Sequence, residues 1–298
     1  MSMKRERTPR TWANRFGLKS AGAFAMLTAV AIVLTLNAFA QPASVGSPGK
    51  SVATKTTWNA APALTTPHES GGISRSITVV GIGDSVTSGT NCNCESFVGL
   101  YATGLASERD LKTSSVNLGA AGWTSSQLLQ NLTQPGAFRD QVAKADILLV
   151  TIGANDLNPL ETKQAAGCPA TCYGPLVDAV GHNVELILAA ARAAHPDHPP
   201  TILVTDYWNV FQDGDVGTAE NGWSFQSWSD VLTRASSSQI CNAARRAGAT
   251  CVGLYGPFKG NGSKNPTSLL AADGDHPNAA GHQLIASTLL ANTPQPIP

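Results

Sequence analysis

The chain has 298 residues, 13% of them charged, with equal numbers of basic and acidic side chains. A charged share about half the usual one, together with abundant Gly and Ala, describes a closely packed globular chain and excludes a disordered one. The first forty residues hold six of the 20 basic and one of the 20 acidic residues, leaving 14 and 19 in the remainder. That mildly acidic remainder offers no basic face to nucleic acid.

Lys4, Arg5, Arg7, Arg10, Arg15 and Lys19 precede a largely apolar run from Ala21 to Ala40. The run closes on Ala38-Phe39-Ala40, a small-x-small cleavage pattern, so residues 1–40 read as an export signal. An uncleaved membrane anchor is the competing reading, because about 20 residues span a bilayer. Thr28, Thr35 and Asn37 interrupt the run and favour removal. Either way the rest of the chain is expected outside the cytoplasm, secreted or at the cell surface, with membrane contact transient and confined to this segment. Residues 41–76, rich in Pro, Ser, Thr, Ala and Gly without periodicity, read as a flexible linker.

From Ile77 strands and helices alternate. Ile77 to Ile82 is an apolar β-type run, followed by a helix over Ser96 to Ala106 and a short strand over Ser115 to Leu118. Thr124 to Leu132 reads as helical, and Pro135 suits the first turn of another helix. Asp146 to Ile152 is a continuously apolar strand, the pattern of a parallel strand covered on both faces. Val177, Val180, Val184, Ile187, Leu188 and Ala191 recur at helical spacing until Pro196, Pro199 and Pro200 stop them. Strands over Thr201–Thr205 and Thr250–Leu254 and helices over Gln226–Ala247 and Asn278–Leu290 complete the chain. This order predicts an α/β fold with a parallel five-stranded sheet and helices on both faces.

All six cysteines follow the leader, and an even count in an exported chain points to disulfides. Loop proximity favours Cys168–Cys172 and Cys241–Cys251, which leaves Cys92–Cys94 by elimination across a short loop. A zinc site is the alternative, weakened by the absence of paired C-x-x-C spacing.

Sheets of this kind gather their chemistry at the carboxyl ends of the strands. Polar turns fall at those positions: Gly83-Asp84-Ser85, Asn117-Leu118-Gly119-Ala120-Ala121-Gly122, Gly153-Ala154-Asn155-Asp156, and Asp273-Gly274-Asp275-His276 before the last helix. Ser85 is a weak nucleophile unless a base lies within hydrogen-bond reach. His276 suits that task, because histidine as a residue type can take and return a proton near neutral pH, and Asp273 three residues earlier can fix its tautomer. Each residue also has a plainer reading. Asp84 or Ser85 can cap a helix, Asn155 can hold its turn, and His276 can be an exposed side chain before a helix. Asp84 and Asp156 are read as braces of their turns, and Asp275 is a second carboxylate that competes with Asp273 for the imidazole.

Taken together, the four blocks resemble those of the GDSL, or SGNH, hydrolases, and the match spans roughly residues 77 to 291. The resemblance implies a flavodoxin-like three-layer α/β/α sandwich, the SGNH hydrolase fold, with a catalytic domain over 77–292 and a tail over 293–298. It also implies ester hydrolysis through an acyl-enzyme, with Ser85, His276 and Asp273 as triad. The oxyanion donors would be the backbone N–H groups of Ser85 and Gly122 and the Asn155 amide. No cofactor and no metal are expected. The expected partner is a small-molecule, lipid or acylated-carbohydrate ester, met by a monomer. A secreted esterase or lipase is the leading reading; a carbohydrate deacetylase and a non-catalytic cell-surface binding domain are the alternatives. Tyr207, Trp208, Phe211, Trp223, Phe225 and Trp228 are read as rim residues of an acyl or sugar pocket, or as packing between loop and helix. His68, His182, His195, His198 and His282 lack metal spacing and read as surface or helix residues.

Overall fold

The computed structural model describes residues 76–161 and 168–297. The export signal and all of the linker but Ser76 lie outside the described residues, as does His68. No helix among the described residues is long and apolar enough to cross a membrane.

Five strands form one parallel sheet: β1 (Ser76–Gly83), β2 (Lys112–Gly119), β3 (Ile147–Thr151), β4 (Thr201–Thr205) and β5 (Thr250–Val252). Their spatial order is β2-β1-β3-β4-β5, the flavodoxin-type doubly wound order. Order reverses between β1 and β3, so a crevice opens above their carboxyl ends. Val79, Val80, Ile82 and all of β3 are buried, which explains their continuous apolar sequence. β2 lies at the sheet edge and is half-exposed along its length. Only its last half carries the apolar signature, so the strand begins three residues before the expected Ser115.

Helices α2 (Phe97–Arg109) and α9 (Ala279–Ala291) pack together in one layer, with α2 against β1 and β2. In the other layer α3 (Ser125–Thr133) packs on α6 (Ala170–Ala193), and α6 on α7 (Gly214–Arg246). The remaining short helices are α1 (Ser85–Ser88), α4 (Ala137–Val142), α5 (Asn158–Glu161) and α8 (Tyr255–Lys259). Two elements exceed their expected bounds. α6 starts seven residues before the apolar stripe at Val177, carrying Pro175 in its opening turns. α7 starts twelve residues before Gln226 and bends at Gly222, whose backbone (φ 78°, ψ 167°) is not helical. β5 stops at Val252, because Leu254 caps α8 instead of continuing the strand. The terminal segment is fastened at its start: Thr293 is buried and shares a 2.8 Å hydrogen bond with Tyr101 in α2.

Candidate active site

The turn between β1 and α1 is held from three directions. Gly83 has φ 145°, and a Cβ there would sit 1.8 Å from the Thr151 carbonyl oxygen, so only glycine fits against β3. The Asp84 N–H donates to that same oxygen at 3.1 Å, and the Ala120 N–H donates to the Gly83 carbonyl from the end of β2. Asp84 is the N-cap of α1, accepting from the Val86 N–H at 3.1 Å. Its carboxylate also accepts from the Thr151 hydroxyl at 2.9 Å and from the Tyr207 hydroxyl. Asp84 is 1% exposed, and burial pushes its pKa up to about 6 against the pull of these donors. The same burial, with the Asp84 charge alongside, raises the Tyr207 pKa well above its ordinary value, so the phenol stays a donor.

Ser85 follows as the first residue of α1, where its N–H has no partner in the helix ladder. Its side chain faces a cavity of about 290 Å³ that Gly122, Asn155 and His276 also line. Gly122 has φ 80° and open space where a Cβ would stand, so its backbone is bare toward a ligand. One N–H of the Asn155 amide donates to the Trp123 carbonyl at 3.0 Å, which fixes the plane of the amide and leaves its second N–H free. Asp156 points away, accepting from the Ser125 N–H at 2.8 Å and the Ser125 hydroxyl at 2.6 Å. It ties α3 to the turn after β3.

The fourth turn carries His276, the candidate base. Asp273 Oδ1 accepts the N–H groups of Asp275 and His276 at 3.0 and 3.1 Å, closing the loop on itself. Its Oδ2 lies 2.7 Å from His276 Nδ1. A carboxylate only accepts, so Nδ1 carries the proton and Nε2 is left with a lone pair. Oδ2 also accepts from the Asn91 side chain. Burial pushes the Asp273 pKa upward, but the hydrogen bonds from Asn91, His276 and the two backbone groups outweigh it and hold the value near 2. Asp275 Oδ2 is farther from Nδ1, at 3.8 Å, so Asp273 is the carboxylate that orients the ring. Gln212 steadies the loop from outside, donating to the Asp273 carbonyl at 3.0 Å.

Ser85, Gly122, Asn155 and His276 therefore meet at one cavity, with Asp273 behind the imidazole. The aromatic residues divide. Tyr207, Trp208 and Phe211 line the cavity, while Trp223 lines a different one and Phe225 and Trp228 line neither. Trp208 stacks on Phe258 with centroids 4.3 Å apart, and Phe211, Phe225 and Trp228 pack mutually at 5.7 to 5.9 Å. These rings are chiefly core between loop and helix.

Three contributors were not apparent from the sequence. Tyr207, besides lining the cavity, serves as a polar brace through its hydroxyl. Thr151 ends an apolar strand without a motif, and Asn91 gains its partner from 182 residues away. An unpaired polar residue one turn beyond the nucleophile is the only signal for Asn91.

The six cysteines fall into three pairs with Cα separations of 5.1 Å (Cys92/Cys94), 5.3 Å (Cys168/Cys172) and 5.2 Å (Cys241/Cys251), each suited to a disulfide. His282, expected at the surface or in a helix, is wholly buried in α9 and accepts from the Phe97 N–H at 3.2 Å. Burial lowers its pKa to about 4. His195 is also buried, its Nδ1 2.7 Å from the Ala191 carbonyl oxygen. Among the described residues, Cys92, Cys94 and His282 form the one group of potential metal ligands, with ligand atoms within 4.8 Å of one another. Three ligands fall short of the four that structural zinc takes, and pairing of the thiols would consume two.

The model of the GDSL-like lipase/acylhydrolase family matches residues 82–284, most of the chain. The protein is a member of this family. No curated protein matches it. Among solved structures, this GDSL-like chain is similar to a lipase from a goat rumen metagenome, at 19% identity and a TM-score of 0.59, covering 72% of this chain and 97% of that one. A putative GDSL-like lipase from Parabacteroides merdae gives 19% and 0.54, covering 73% and 95%. An acetylxylan esterase from Geobacillus stearothermophilus gives 16% and 0.51, covering 73% and 94%. At such identities the likeness establishes the fold, the SGNH hydrolase architecture, with family membership pointing to ester hydrolysis.

Proposed function

We propose that the protein is an exported serine esterase that forms an acyl-enzyme on Ser85. The reading is carried by one observation: His276, with Asp273 2.7 Å from its Nδ1, borders the same cavity as Ser85, Gly122 and Asn155. His276 Nε2 takes the Ser85 proton as Oγ attacks the ester carbonyl, and Asp273, ionised through the working range, stabilises the imidazolium. The N–H groups of Ser85 and Gly122 and the free amide N–H of Asn155 receive the oxyanion, each worth about 3 kcal/mol. His276 returns the proton to the departing alcohol, and water then repeats the sequence to free the acid. The three cysteine pairs are proposed as disulfides, consistent with export.

The cavity itself favours a short acyl group. At about 290 Å³ it sits at the low end of small-molecule sites (about 300–1,000 Å³). Thr90, Asn158, Glu161, Gln212 and Asp275 give it a polar wall, ill-suited to a long alkyl chain. That wall supports a second reading, removal of acetyl groups from a sugar chain. The test is p-nitrophenol release from acetyl, octanoyl and palmitoyl esters, with acetate release from acetylated xylan alongside. Activity is expected to be highest on acetyl esters and to drop by roughly 10⁴-fold or more in Ser85→Ala. Equal rates in the two proteins would instead make the chain a silent binding domain.

A further inference from the structure

A second cavity, of about 440 Å³, opens beside the first. Its wall is one face of α7 after the bend: Trp223, Ser227, Val231 and Arg234 recur every three or four residues. The bend at Gly222 starts this face, and it leaves the Trp223 ring 75% exposed. Three large apolar side chains are exposed among the described residues, Leu186, Trp223 and Val231, and two of them line this cavity. No ring among the described residues stacks on Trp223. An indole plane left open in this way costs solubility unless something covers it.

The floor is polar, and its buried charges are paired. Lys259, buried, reaches Asp213 at 2.7 Å and Asp230 at 3.2 Å, and Arg234 pairs with Asp230 at 2.7 Å. Lys259, Arg234 and the two carboxylates thus pair with one another, while Lys264, also in the lining, donates to the Pro257 carbonyl at 3.3 Å. A flat apolar face above neutralised donors and acceptors matches a neutral sugar ring, whose C–H face stacks on an aromatic while its hydroxyls seek both kinds of partner. A lipid would meet too many polar groups, and an anion would find two of the three lining cations already paired.

Neighbouring residues of one segment reach the two cavities. Gln212 lines the first and Asp213 the second, and the Asp213 N–H donates at 2.7 Å to the carbonyl of Gly274, inside the turn that carries His276. We propose that the Trp223 cavity is an auxiliary subsite for a neutral oligosaccharide, holding a sugar chain next to the ester-cleaving site. This deepens the sugar-deacetylase reading and rests on it.

The test compares wild type, W223A and W223Y on three readouts: xylohexaose binding by titration calorimetry, acetate release from acetylated xylan, and p-nitrophenyl acetate hydrolysis. W223A is expected to lose roughly tenfold in xylohexaose affinity and in kcat/KM on xylan. W223Y should keep most of both, with p-nitrophenyl acetate turnover within about twofold of wild type in each variant. Unchanged binding in W223A overturns the subsite, as does a parallel fall on polymer and small ester in both variants, the mark of a structural role. Deacetylation that survives W223A intact removes the subsite and keeps the deacetylase. Trp223-dependent xylohexaose binding without acetate release does the reverse.

Discussion

Two carboxylates brace the two halves of the active site, and they are tuned in opposite directions. Asp84, beneath the nucleophile, is almost wholly buried with one backbone N–H and two hydroxyls for company, and its pKa rises to about 6. Asp273, beneath the base, accepts from two backbone groups, an amide and an imidazole, and stays near 2. Burial acts upward on both, but it is nearly complete for Asp84 and only partial for Asp273, where four donors outweigh it. A brace need only hold geometry, so Asp84 tolerates protonation. In the proposed mechanism Asp273 meets a developing imidazolium, a role that requires it to remain charged, and its four donors serve that role.

The sharpest way to break the contrast is to neutralise the charged member. Asp273→Asn should lower kcat by roughly 10³–10⁴-fold, because the amide presents the wrong partner to Nδ1. KM should change little, and the comparison of kcat with KM on p-nitrophenyl acetate checks it. The stability signature differs in sign between the two acids. A folded pKa of about 2 means Asp273 contributes above the unfolded value near 3.8 and loses that contribution as pH falls toward 2.

Asp84 runs the other way. Its raised folded pKa gives stability that is complete below about pH 4 and is lost as pH rises through 6. Asp84→Asn should therefore flatten the decline in urea-unfolding free energy between pH 4 and 7 by up to ~3 kcal/mol. Asp206, also raised to about 6 by burial, supplies a residual slope in both proteins. An identical slope in wild type and variant would remove Asp84 as its source. The mildest probe trims one donor from the charged brace. Asn91→Ala should let the Asp273 pKa climb and cut kcat about tenfold, while the melting temperature stays nearly fixed. Loss of fold in step with activity would show Asn91 to be a scaffold residue only.

Much of this architecture could be read before any coordinates. β1, β3 and β4 announce themselves because both of their faces are covered, which removes polar residues from their sequences. The four turns were legible because strand-end chemistry repeats at fixed places in a doubly wound sheet. What stayed hidden depends on tertiary neighbours. β2 is an edge strand with polar residues along it, so its length was invisible. The first quarter of α7, Gly214 to Asn221, carries two Gly, one Asp and one Asn that speak for a loop, and only packing makes it helical. Asn91, Thr151 and Tyr207 act through partners 67 to 182 residues distant, and no local pattern encodes such pairings.

The contact between Gly83 and the Thr151 carbonyl has a consequence for how the enzyme fails. Because Ser85, the proposed nucleophile, is aligned by the ends of three neighbouring strands, no part of that alignment can slip while the rest endures. Heating should therefore extinguish ester cleavage and the far-ultraviolet circular dichroism of the sheet along one curve, making turnover a direct thermometer of the molecule's central scaffold.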